Sequence, residues 1–105
     1  MKSILIIEKK TEIINQYTET LKKSGYEVIP APSSNIGINL ATYKVPDLIL
    51  CNTDLTDIDG FEVLSILSGN SSTTNIPFIF LNPNASPEII QKGLQLGADD
   101  FITKP

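Results

Sequence analysis

Three lysines, two amides and a lone glutamate stand where short apolar runs of this sequence give way to polar residues. The four clusters are Glu8-Lys9-Lys10, Asn52-Thr53-Asp54, Asn82-Pro83 and Thr103-Lys104-Pro105. Glu8 offers hard oxygen ligands of the kind Mg²⁺ takes, but it is a single carboxylate. Lys9 and Lys104 are ammonium groups between which a phosphate or sulfate could be held. Asp54 is a further carboxylate two residues beyond Asn52. Asp57 and Asp59 precede Gly60, and turn formation and negative charge at a helix start account for them better than metal ligation. Cys51 lies inside an apolar run and reads as a buried structural thiol; as the only cysteine it leaves no internal disulfide.

The elements that must position these residues alternate along the chain. Ile4-Leu5-Ile6-Ile7, Val28-Ile29, Leu48-Ile49-Leu50-Cys51, Phe78-Ile79-Phe80-Leu81 and Phe101-Ile102 are too short for helices and rich in Ile, Val and Phe. They read as strands. At least three are apolar without alternation, as strands of a parallel sheet with helices on both faces are. Between them, Ile13, Ile14, Tyr17 and Leu21 mark one face of a helix from Thr11 to Ser24, stopped by Gly25. A second helix is expected from about Asn35 to Tyr43, weakened by Gly37 and closed by Pro46. A third runs from about Phe61 to Leu67 and buries Val63, Leu64 and Leu67; the polar stretch Ser68 to Asn75 after it reads as a loop. Ser86-Pro87 is the cap and first position of a fourth, with Ile89, Ile90 and Leu94 on its buried side and Gly97 at its end.

The order β-α-β-α-β-α-β-α-β without repeats, joined by right-handed crossovers, predicts a doubly wound α/β sheet. Sites in such sheets form beyond the carboxyl ends of the strands, where all four polar clusters fall. The 105 residues amount to one domain, read as 1–105, and 41% of them are apolar, which argues against disorder. A net charge of −4 with no basic run argues against a nucleic-acid surface. No segment has the length or apolarity of a signal peptide or membrane span, and a cytoplasmic location is expected.

The strand ends, with Gly25-Tyr26-Glu27-Val28, Pro46-Asp47-Leu48-Ile49-Leu50, Asp57-Ile58-Asp59-Gly60-Phe61-Glu62 and Gly97 through Pro105, carry a resemblance. From Lys2 to Pro105 the chain resembles a receiver domain of the bacterial response-regulator type. The resemblance implies a flavodoxin-like sheet of five parallel strands in the order 2-1-3-4-5. The family's fifth helix, after the Lys-Pro, is missing from this sequence, which is read as truncated after the fifth strand with one strand face uncovered. Self-association or marginal stability is expected of this form, and a homodimer is one outcome.

The resemblance also implies a phosphoryl-accepting site, and here its residues depart from the pattern. The family's acidic, Mg²⁺-holding pair falls at Glu8 and Lys9, the phosphoryl-accepting aspartate at Asn52, the hydroxyl at Asn82 and the lysine at Lys104. A carboxamide is not nucleophilic enough to form the acyl phosphate. With Glu8 set against Lys9 and Lys104, the formal charge of the site turns from negative to positive, so no Mg²⁺ is expected. Lys9 is expected to point inward, near Glu8 and Asn52, in place of the lost metal; a surface lysine pointing away is the plainer reading. Phe101 matches an aromatic that turns in or out on activation in receivers, with an ordinary half-buried aromatic as the other reading. The expected function is a phosphorylation-independent pseudo-receiver, not an enzyme, that binds a signalling protein through the fourth helix and fifth strand, around Ser86 to Phe101. Two alternatives stand: a conventional phosphoacceptor using Asp54, and an anion sensor holding its ligand between Lys9 and Lys104. The Lys104-Pro105 peptide could be cis or trans.

Overall fold

Ile4, Leu5, Ile6 and Ile7 are all buried because their strand is central and has helices on both sides. The computed structural model describes residues 1–103. Its elements are β1 (Ser3–Ile7), α1 (Thr11–Lys23), β2 (Glu27–Ala31), α2 (Ser34–Lys44), β3 (Leu48–Asn52), α3 (Gly60–Ser68), β4 (Phe78–Leu81), α4 (Pro87–Gln95) and β5 (Asp100–Ile102). The strands form one parallel sheet, as the alternating pattern implied, in the order β2-β1-β3-β4-β5 that the resemblance implied.

Strand alternation splits the core in two. Leu5, Ile7, Ile49, Cys51, Phe78 and Phe80 face α2, α3 and α4, where Ala41, Val63, Leu64 and Leu67 meet them. Ile4, Ile6, Leu50 and Leu81 face the other way, against Ile14 of α1, with Tyr17 and Leu21 beside it. Ile79 and Ile102 lie on this second face and remain half-buried. Pro30 is tolerated in β2 because the strand is at the sheet edge, where a missing N–H costs no central ladder bond.

Side-chain caps set where several helices begin. Ser33 accepts from the Ile36 N–H, Asp59 from the Glu62 N–H and Ser86 from the Ile89 N–H. The second helix therefore starts at Ser34 and runs to Lys44, one residue longer at each end than the sequence suggested. It stops at Val45, whose φ of 44° lies in the left-handed region. The third starts at Gly60, where a Cβ would meet the Asn52 carbonyl oxygen at 2.3 Å and the Thr53 Cα at 2.7 Å. Glycine is required there because helix and strand backbones touch directly behind the crevice. The stretch after α3 is a set of turns held by Thr73, whose buried hydroxyl donates to the Leu67 carbonyl at 2.6 Å.

Candidate functional site

The carboxyl ends of β1, β3 and β4 deliver Glu8, Asn52 and Asn82 to one crevice. Glu8 is 0% exposed and Asn52 6% exposed. A carboxylate withdrawn from water needs hydrogen bonds. Here the Asn52 Nδ2 donates to Oε1 at 2.7 Å and the Lys10 backbone N–H to Oε2 at 3.1 Å. Asn52 Oδ1 accepts from the Asp54 N–H at 2.8 Å. Asn82 repeats the arrangement: its Nδ2 donates to Thr53 Oγ1 at 2.9 Å, and its Oδ1 accepts from the Asn84 N–H at 2.9 Å.

Lys9 departs from expectation. Its ammonium pairs with Asp54 Oδ2 at 3.6 Å, the two side chains being 32% and 77% exposed. Its ion pair is therefore with Asp54 at the mouth of the crevice, and among the described residues no ion pair joins it to Glu8. The physical reason is that the Asn52 amide already satisfies Glu8, while Asp54 points outward and offers a charge that keeps most of its water. A charge count that sets Lys9 against Glu8 leaves out this pairing, so Lys9 repels a cation less than the sequence alone suggests. Asp54, the alternative acceptor, is an exposed loop carboxylate. The anion reading needs Lys9 and Lys104, but the Lys9 charge is engaged by Asp54. Lys104, like the Lys104-Pro105 bond, lies outside the described residues.

Asp57 and Asp59 do what turn and cap residues do. Asp59 caps α3, and the Asp57 carboxylate accepts the Ser34 and Asn35 N–H groups at 3.1 and 2.9 Å, anchoring the β3–α3 loop on the start of α2. The buried Ser34 hydroxyl donates to the Ile58 carbonyl and completes the anchor. Among the described residues no group of three or more His, Cys, Asp and Glu side chains converges as a metal set. The Asn35 N–H, ahead of the other causes, holds the Asp57 carboxyl down at about 2. A depressed carboxyl stabilises the fold fully above its unfolded value and progressively less as pH falls through the folded one. An NMR titration should therefore place the Asp57 midpoint at about 2. A midpoint at the ordinary 3.8 would mean that the α2 anchor does not form in solution.

Three neighbours complete the picture. Cys51 is fully buried and burial, then the Glu8 charge, pushes its thiol well up, so it is inert as a nucleophile. Burial, then Glu8, likewise raises the Tyr17 hydroxyl. Phe101 is half-buried, its ring 5.8 Å from that of Phe80 and close to Gly93. Thr53, named only within its cluster, and Ser34 were given no role in the sequence because a hydroxyl at a strand end or before a helix is ordinary. The Ser33-Ser34 pair signals a cap, but not which serine caps and which is buried.

A family profile described as response regulator receiver domain matches residues 4–105. The phosphate regulon transcriptional regulatory protein PhoB of Pseudomonas aeruginosa is 33% identical over 104 residues, covering 99% of this chain and 45% of that protein. The alkaline phosphatase synthesis transcriptional regulatory protein PhoP of Bacillus subtilis is 35% identical over 106 residues, 99% of this chain and 42% of that protein. The chain thus spans less than half the length of these curated relatives. Among solved structures, chemotaxis protein CheY4 of Vibrio cholerae superposes with a TM-score of 0.92 at 27% identity, covering 100% of this chain and 88% of that one. A CheY-like receiver domain protein of Methanospirillum hungatei gives 0.90 at 30% identity, covering 100% and 82%.

Proposed function

The chain belongs to the response regulator receiver domain family of two-component signalling, and within it we propose a module that takes no phosphoryl group and acts by binding a protein partner. The observation that carries this reading is the bond from the Asn52 amide to Glu8 at 2.7 Å. An amide at the end of β3 supplies no nucleophile. Its N–H also places a hydrogen-bond donor against Glu8, where a second carboxylate would be needed beside a metal. Magnesium needs hard oxygen ligands in near-octahedral array. Both Glu8 oxygens and Asn52 Oδ1 already accept protein hydrogen bonds, and the Lys9 ammonium stands at the mouth. This donor set does not fit Mg²⁺, and the proposed module is neither an enzyme nor a metal protein.

The partner surface in this reading is α4 and β5. Leu94 and Leu96 are exposed there, and Pro87, Ile90 and Leu94 line a shallow apolar depression along α4. A second copy of the chain is one candidate for this surface. No helix among the described residues is long and apolar enough to cross a membrane; a cytoplasmic location belongs to the proposal.

Intact-mass spectrometry after incubation with acetyl phosphate and Mg²⁺ tests the central point. The expected spectrum has no phosphoryl adduct. Mg²⁺ alone is expected to leave the melting temperature unchanged, since a ligand that binds the native state raises it by mass action. An adduct on Asp54 or elsewhere, or a rise that EDTA abolishes, would sink the reading.

A further inference from the structure

Asn52 and Asn82 use their amides in the same way. In each, Oδ1 accepts the backbone N–H two residues on, from Asp54 and Asn84, closing a local turn. In each, Nδ2 reaches to the neighbouring loop, to Glu8 after β1 and to Thr53 after β3. The loops after β1, β3 and β4 are thereby bonded in series. The middle one is held twice more, by the Lys9–Asp54 pair and by the Asp57 and Ser34 bonds to the start of α2.

Among side chains of this size, a primary carboxamide does this without having to hold a proton. An ionised carboxylate accepts at both oxygens and has nothing to donate. A hydroxyl carries donor and acceptor on a single atom, so it cannot face the next loop and its own backbone from two positions. Two asparagines at matching strand ends therefore have a common physical explanation, which the loss of a nucleophile at one of them does not provide.

We propose that Asn52 and Asn82 are paired amide staples that hold the three crevice loops in one arrangement, so that the β4–α4 loop and the start of α4 keep a single state with no ligand in the crevice. The inference rests on the reading of the crevice as one that takes no phosphoryl group. It adds that the receiver is permanently set, where a loop awaiting a ligand would move.

The test is made on the whole chain by NMR and by unfolding. In the wild type, the Asp54 and Asn84 amides should exchange slowly with solvent, and relaxation-dispersion profiles over residues 82–90 should be flat. Thr53→Val removes the acceptor at nearly constant shape. Asn82→Ala removes the donor, and with it the acceptor of the local turn, which Thr53 does not share; an aspartate there would accept from the Thr53 hydroxyl and remake the bond. Each should switch on microsecond-to-millisecond exchange over residues 82–90, which a loss of mere bulk stability would not confine to that segment. In a double-mutant cycle the two should be non-additive, with a coupling of roughly 5-fold in the unfolding equilibrium, the worth of one net hydrogen bond. Additive effects, or dispersion already present in the wild type, would overturn the proposal. Should a variant fail to fold, fast exchange of the wild-type Asp54 and Asn84 amides would overturn it and slow exchange would support it. Phosphoryl labelling of the wild type would sink the functional reading and leave the coupling standing; additivity without labelling would sink the staples alone.

Discussion

Asn52→Asp is expected to destabilise the fold by about 2–4 kcal/mol at neutral pH, the range for leaving a buried charge without its partner. The change removes the hydrogen bond to Glu8 and sets a second carboxylate 2.7 Å from the first, in a place where Glu8 is 0% exposed. Two like charges at about 4 Å repel by roughly 4 kcal/mol at an effective dielectric near 20. The pair relieves this by sharing a proton, so its folded-state titration moves above the unfolded value. The loss should then shrink as pH falls and grow as pH rises through that shifted titration. Denaturant unfolding at neutral and mildly acidic pH measures both effects. Glu8→Gln made together with Asn52→Asp restores a donor opposite an acceptor and should recover most of the stability. Labelling by acetyl phosphate should remain weak in Asn52→Asp and strengthen when Lys9→Asp and Asn82→Thr are added, which clear the ammonium from the mouth and return a hydroxyl. A single variant as stable as the wild type would show that Glu8 and Asn52 are not bonded in solution. One that labels as well as the triple variant would show that Lys9 and Asn82 do not obstruct the chemistry.

Phe80→Ala is expected to cost about 3–5 kcal/mol, the range for truncating a fully buried aromatic. Phe80 is 0% exposed, and its ring centroid lies 5.0 Å from Phe78, 5.2 Å from Phe61 and 5.8 Å from Phe101. It also packs where a Cβ on Gly93 would meet it at 2.9 Å, so α4 rests directly on this ring. Removing it opens a cavity under α4 and takes away the surface against which Phe101 is held. Phe101→Ala should cost much less, about 1–2 kcal/mol, because that ring is already half in water. Urea unfolding of both variants decides the point. Equal losses would mean that Phe101 is a core residue, with no freedom to turn outward.

Much of the molecule was legible in the chain because it follows from local patterns. Ile4 to Ile7 and Phe78 to Leu81 are apolar without alternation, and a strand can carry that pattern only when both faces are covered. Gly25 and Gly97 follow helices with φ values of 90° and 109°, the conformation that favours glycine. Ser86-Pro87 opens α4 where a cap followed by proline should. Asp57 was legible as a polar turn residue, but its target was not: the amides it accepts belong to Ser34 and Asn35, on another helix.

The same division runs through the crevice. The sequence by itself determined the strands and helices, their doubly wound order and the absence of a carboxylate at the end of β3, because burial patterns, caps and residue chemistry are properties of short segments. Only the tertiary structure decided which groups meet. It placed Asn52 against Glu8 across 44 residues and Thr53 against Asn82 across 29. It paired Lys9 with Asp54. The physical reason is competition. A buried carboxylate, an amide and an ammonium each have several partners within reach of their sequence positions. The choice falls to whichever set satisfies every desolvated group at once, and that is defined only when β1, β3 and β4 lie side by side.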